Sequence, residues 1–171
     1  MRLLALLLVL GICSCEIKVG TRNSDEPGNT VASENKSSKI RNGIVLKETG
    51  LNVQEAYLTV NGTLMSNENK VDINDVVKIE LAIAGWKTEN DTVFAGLSER
   101  ILTSEGDTVI NEPDLFLNFV KKINTKEAKK IYLSVQLTGI TKIVDYFLVE
   151  FRVWDKKTNA EVSGSYKLYL K

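Results

Sequence analysis

The chain has 171 residues, with 22 basic side chains against 22 acidic ones and no histidine. Formal neutrality leaves no electrostatic footprint for nucleic acid or an anionic membrane surface, and the missing imidazole excludes Ser-His-Asp and Cys-His catalysis as well as the commonest neutral metal ligand. Both cysteines fall within the first fifteen residues, so the remainder has neither a disulfide nor a zinc-thiolate site.

Residues 1–15 read MRLLALLLVLGICSC. Arg2 supplies a positive n-region, and Leu3 to Ile12 form an apolar run too short to span a bilayer as a helix. Ile12-Cys13-Ser14-Cys15 is an aliphatic residue, a tolerant one, a small one and a cysteine. The segment resembles a bacterial lipoprotein signal with its lipobox. That resemblance implies removal of residues 1–14, lipidation of Cys15, and attachment to a membrane of the bacterial cell envelope, facing the periplasm or the cell surface. Cys13 competes poorly for this role, because the large Ile12 stands where the signal peptidase needs a small residue. The cut leaves 157 residues carrying 21 basic and 22 acidic side chains, which suits one domain plus a tail. An exported domain without disulfides is held by its core alone.

Residues 15–42 read as a lipidated, flexible tether. From Glu16 onward they are rich in Ser, Asn, Lys, Glu and Gly, with no sustained apolar period, a composition that cannot offset the entropy of ordering. A coil of that length has an end-to-end distance of about 30 Å.

The folded domain is expected over residues 43–171. Short apolar runs of period two alternate with turn signals there, an all-β pattern. Ile44 to Lys47 opens it. Tyr57 to Val60 and Thr63 to Met65 flank Asn61-Gly62, the dipeptide suited to a type I′ hairpin. Val77, Ile79, Leu81 and Ile83 give one apolar face beside a polar or small one. Thr92 to Leu97 and Glu99 to Thr103 make one long strand or two short ones, and Thr108 to Ile110 follows the Glu105-Gly106-Asp107 turn. Leu115, Phe116, Phe119 and Val120 fall at helical spacing after Pro113, predicting one short helix over Asp114–Lys122, within the window Pro113 to Lys130. Alternation resumes at Ile131, Leu133, Val135 and Leu137, again at Phe147, Val149, Phe151 and Val153, and last at Tyr166, Leu168 and Leu170. Seven to nine strands fit a two-sheet sandwich. In gross plan the chain is similar to small Gram-negative lipoproteins carrying an immunoglobulin-like β-sandwich behind a flexible tether. The resemblance implies an all-β, immunoglobulin-like antiparallel sandwich with at most one short helix, architectural only, since the antibody Cys…Trp…Cys pattern is absent.

Candidate chemistry is sparse. Ser38, Ser66 and Ser134 lack a motif that would mark a Ser-Lys nucleophile. The close carboxylate pairs, Glu89 with Asp91 and Glu112 with Asp114, stand at turns or a helix start, where they cap backbone groups. Asp72 and Asp75 read as turn formers ahead of Val76. Glu105, Asp107, Asn111 and Glu112 offer oxygen ligands in one stretch, yet not in EF-hand order, and read as a solvated hairpin end. No motif calls for a cofactor or a metal. Five aromatics, Trp86, Trp154, Tyr57, Tyr146 and Tyr169, are suited to stacking on a sugar or anchoring a protein partner. Tyr146, Leu148, Glu150, Arg152 and Trp154 share the strand face opposite Phe147 and Val149, so the candidate binding residues are Trp86, Tyr146, Arg152 and Trp154. The expected function is a lipid-anchored, non-enzymatic envelope module that contacts protein or glycan. The alternatives are a carboxylate-dependent glycan-active enzyme, which needs two carboxyls about 5–9.5 Å apart in a cleft, and an assembly subunit that pairs through an edge strand.

Overall fold

The computed structural model describes residues 39–116, 122–140 and 143–171. Cys15, most of the expected tether, and residues 117–121 of the expected helix lie outside them. In chain order the elements are β1 (Val45–Thr49), β2 (Asn52–Val60), β3 (Thr63–Leu64), β4 (Lys70–Val71), β5 (Val76–Ala84), β6 (Thr92–Val93), β7 (Ala95–Thr103), β8 (Thr108–Glu112), β9 (Ile123–Asn124), α1 (Thr125–Ala128), β10 (Lys130–Gln136), β11 (Phe147–Asp155) and β12 (Glu161–Leu170).

Two antiparallel sheets pack as a sandwich. One runs β1-β12-β11-β7-β8, with β4 added in parallel to β12, and the other runs β10-β5-β2-β3. After β5 the chain crosses to the β7–β8 hairpin, returns to lay β10 beside β5, and crosses again to the β11–β12 hairpin. This is the Greek-key path of an immunoglobulin-like sandwich.

The alternation of apolar residues fixes which face of each strand is buried. Val77, Ile79, Leu81 and Ile83 from β5 and Phe147, Val149, Phe151 and Val153 from β11 all face the interior, and Tyr166 and Leu168 join them from β12. Asn61 (φ 49°) and Gly62 (φ 83°) both occupy the positive-φ region, as a type I′ turn requires, and set Val60 opposite Thr63.

Three expectations need correction. The described part of Asp114–Lys122 is not helical. Leu115 donates its N–H to the Leu97 carbonyl (2.7 Å), and Leu115 and Phe116 cover the main core as a turn. Spacing alone could not distinguish a helix face from an apolar cap. The short helix is α1, inside the Pro113–Lys130 window. The stretch from Thr92 to Thr103 is two strands, as one of the two readings has it, but the break falls at Phe94 instead of Ser98, giving β6, which pairs with β9, and β7, which joins the sandwich. Finally, residues 39–42, assigned to the tether by composition, pack on the domain: Ile40 bridges Ala56 and Asn42 is buried.

β2 carries the irregularity that matters most. A bulge at Gln54 lies between the pairs Val53–Ile83 and Glu55–Ala82. Val53 and Ala56 therefore both face inward, while Glu55 turns to the outer face, the re-aiming that bulges produce.

Candidate functional site

The outer face of the β10-β5-β2-β3 sheet holds a trough of about 540 Å³, within the range of small-ligand sites. Register builds it as transverse rows. Tyr57 on β2 and Tyr132 on β10 both stand opposite Glu80 of the central strand β5. One row away, Glu55 and Lys130 flank Ala82, and in the other direction Thr59 and Ser134 flank Lys78. Ala82 is the smallest of these side chains, so the sheet is hollow between Glu55 and Lys130. With strands about 4.8 Å apart, the tyrosines sit about 10 Å from each other.

Polar contacts order the row. The Tyr57 hydroxyl donates to Glu80 Oε2 at 2.7 Å, and the Lys78 ammonium stands 5.4 Å from the Tyr132 ring centroid, a cation–π distance. Two tyrosine rings, two ammonium groups, two carboxylates and the Thr59 hydroxyl thus share one concave surface, with Ser134 beside Lys78 at its edge. Such a face stacks on apolar ring surfaces while its polar groups meet hydroxyls.

The residues singled out from sequence fall elsewhere and in separate places. Arg152 and Trp154 do meet on the outer face of the β1-β12-β11-β7-β8 sheet, with the guanidinium carbon 4.8 Å from the indole. The indole covers Gly96, where a Cβ would overlap its ring. Arg152 Nε donates to Glu161 Oε2 at 2.7 Å, and one strand away Arg100 pairs with Glu150. Tyr146 lies eight residues earlier, about 26 Å along the strand, edge-to-face with Tyr169 (6.2 Å) and beneath the Lys167 ammonium (3.8 Å). Trp86 is half-buried, packs against the core, and donates Nε1–H to the Ala128 carbonyl (2.9 Å), which makes it a structural residue. Among the aromatics named from sequence, Tyr57 alone lines the trough.

The turn reading holds for the carboxylates of Asp114 and Asp75, which accept backbone N–H groups, but not for Glu112, which ends β8 opposite Glu99. Glu89 and Thr92 exchange backbone hydrogen bonds around Asn90-Asp91, and the Glu89 carboxylate takes Lys157. Asp114 accepts from the Phe116 N–H and from Lys156. Asp75 accepts from the Asp72 N–H (2.8 Å) and from Asn61 Nδ2 (2.7 Å), and these hydrogen bonds hold its carboxyl below the usual range. Among the described residues no group of three acidic, histidine or cysteine side chains is placed to hold a metal ion.

One carboxyl is unusual. Glu99 sits between the core residues Leu97 and Ile101 on the inner face of β7, is 2% exposed, and lies opposite Glu112 of β8. Burial, and secondarily the charge of Glu112, push its pKa up to about 8. The fully buried Tyr166 hydroxyl is raised by burial and then by Glu99. Period two in Leu97-Ser98-Glu99-Arg100-Ile101 was a signal available in the sequence for this inward glutamate.

No protein-family model matches the chain, and no curated protein matches it in sequence. In fold it is similar to the crystal structure of the C-terminal domain of Wzt, with a TM-score of 0.49 and 13% identity over 78% of this chain and 81% of that one.

Proposed function

We propose that the protein is a lipid-anchored module of the bacterial envelope that binds glycan, without turning it over, in the trough of the β10-β5-β2-β3 sheet. The observation that carries this reading is the transverse row Tyr57–Glu80–Tyr132. It presents two rings at the spacing of alternate strands with a carboxylate acceptor between them, on strands rather than loops, so the geometry is preorganised. Glu80 is held by the Tyr57 phenol, which suits an acceptor for sugar hydroxyls. The lipobox-like Ile12-Cys13-Ser14-Cys15 supports the anchor and the envelope location.

The test is an oligosaccharide array probed with residues 39–171, followed by titration of the strongest ligand. Wild type binds, and Tyr57→Ala and Tyr132→Ala each weaken binding about tenfold or more, as stacking worth about 1.5 kcal/mol requires. Binding unchanged in both variants contradicts the trough. Release of new reducing ends from the bound glycan contradicts a non-catalytic role.

A further inference from the structure

Along the trough the charges are not evenly mixed. The row of Glu55 and Lys130 carries both signs and the next row carries Glu80, but the row Thr59–Lys78–Ser134 carries one ammonium and two hydroxyls with no carboxylate. Among the described residues Lys78 forms no ion pair; its contact is the Tyr132 ring. The Thr59 Oγ1 and Ser134 Oγ atoms, one on each side of Lys78, are buried without a hydrogen-bond partner among the described residues. Thr59 as a whole is only 7% exposed and lines the trough.

Buried hydroxyls without partners are uncommon in folded proteins, and two of them flanking one ammonium in a single row are an arrangement to be explained. Each hydroxyl has an O–H to donate and the ammonium has three N–H donors. The group that satisfies all of them is an anion with two or three oxygens, and charge-assisted bonds of this kind are stronger than neutral ones. Adjacent rows on a strand face are about 6.6 Å apart, so an acidic substituent over Lys78 leaves a sugar ring over Tyr57 and Tyr132. The reverse orientation would set the acid beside Glu55.

We infer that Thr59, Lys78 and Ser134 form an anion subsite, and that the ligand is a glycan bearing a carboxylate or phosphate. This rests on the glycan reading of the trough. The lysine supplies the charge, the two hydroxyls fix the orientation of the anion's oxygens, and the preference is for acidic over neutral sugars.

The experiment titrates the protein with uronic-acid oligosaccharides and their carboxyl-reduced counterparts, and with sugar phosphates and their dephosphorylated forms. The acidic member of at least one class binds about tenfold tighter than its neutral partner, the strength of one charge-assisted contact, and added salt erodes the difference. The class that shows the preference tells carboxylate from phosphate. Lys78→Met removes the preference, Lys78→Arg retains most of it, and the double variant Thr59→Val, Ser134→Ala reduces it. Neutral sugars that bind without an acidic preference, or a preference that survives Lys78→Met, overturn the subsite and leave the glycan reading standing. Absence of binding by every sugar, acidic or neutral, overturns both.

Discussion

Asn42 and Asn69 are hydrogen-bonded to each other inside the protein. Asn42 Nδ2 donates to Asn69 Oδ1 (3.0 Å), and Asn69 Nδ2 returns a bond to the Asn42 carbonyl (2.8 Å). The pair also reaches both sheets: the Asn42 Oδ1 accepts from the Leu58 N–H of β2, and Asn69 Nδ2 donates to the Lys167 carbonyl of β12. Both residues hold positive φ, 57° and 52°, which asparagine tolerates better than most side chains. The start of the domain is thereby clamped across the open end of the sandwich.

Asn42→Ala should therefore destabilise by about 2–4 kcal/mol. It leaves the buried Leu58 N–H and Asn69 amide short of partners, each worth about 1–3 kcal/mol, and places alanine at positive φ. Urea denaturation measures the loss; a change below about 1 kcal/mol would show that the clamp is not formed.

Glu99 makes stability fall as pH rises. The folded carboxyl keeps its proton up to about 8, whereas the ordinary carboxyl releases it near 4.5, so between these values the folded state binds the extra proton. The stabilisation is complete below about pH 4.5 and is lost as pH climbs through 8, with a slope of at most about 1.4 kcal/mol per pH unit. Glu99→Gln should flatten the profile. Thermal melts at pH 5, 6.5 and 8 read it directly, and equal slopes in variant and wild type would contradict the assignment.

Gly96→Ala should destabilise by about 3 kcal/mol, because the new Cβ overlaps the Trp154 indole. A second change, Trp154→Ala, which removes the overlapping ring, should restore part of the loss. Tryptophan fluorescence together with denaturation distinguishes ring displacement from general unfolding. Phe151→Ala, at a buried position beside Tyr166 (ring centroids 6.5 Å apart), should cost about 3–5 kcal/mol.

The proposed anchor has its own test. Cys15→Ala should abolish membrane retention and the same change at Cys13 should not, since several tens of buried methylenes at about 0.8 kcal/mol each make a multiply acylated cysteine effectively permanent in the membrane. Mass spectrometry of the mature amino terminus decides it: an unmodified Glu16 or a lipid on Cys13 contradicts the proposal.

What the sequence revealed and what it hid have separate causes. The strands around Ile79, Leu133 and Phe151 announce themselves because one face is buried and the period is two, and Asn61-Gly62 announces its turn because few other dipeptides accept positive φ twice. The trough was hidden because it is a relationship between strands. Tyr57 and Glu80 are 23 residues apart, and Tyr132 joins them only once β10 crosses back to β5. Glu55 was hidden further by the bulge at Gln54, which reverses the alternation that would otherwise set it on the same face as Val53. Arg152 and Trp154 were placed correctly on an outer face, but Tyr146 shares that face at a distance, and face membership alone says nothing about distance along a strand.

The most direct test of the central claim is an amide and tyrosine-ring NMR titration with the strongest array ligand. Binding in the trough predicts saturable shifts confined to β2, β5 and β10 and centred on Tyr57, Glu80 and Tyr132, with the Arg152–Trp154 face unchanged. Shifts centred on Trp154, Arg152 and Glu161, with the Tyr57–Tyr132 row silent, would place the binding surface on the opposite sheet and contradict the account.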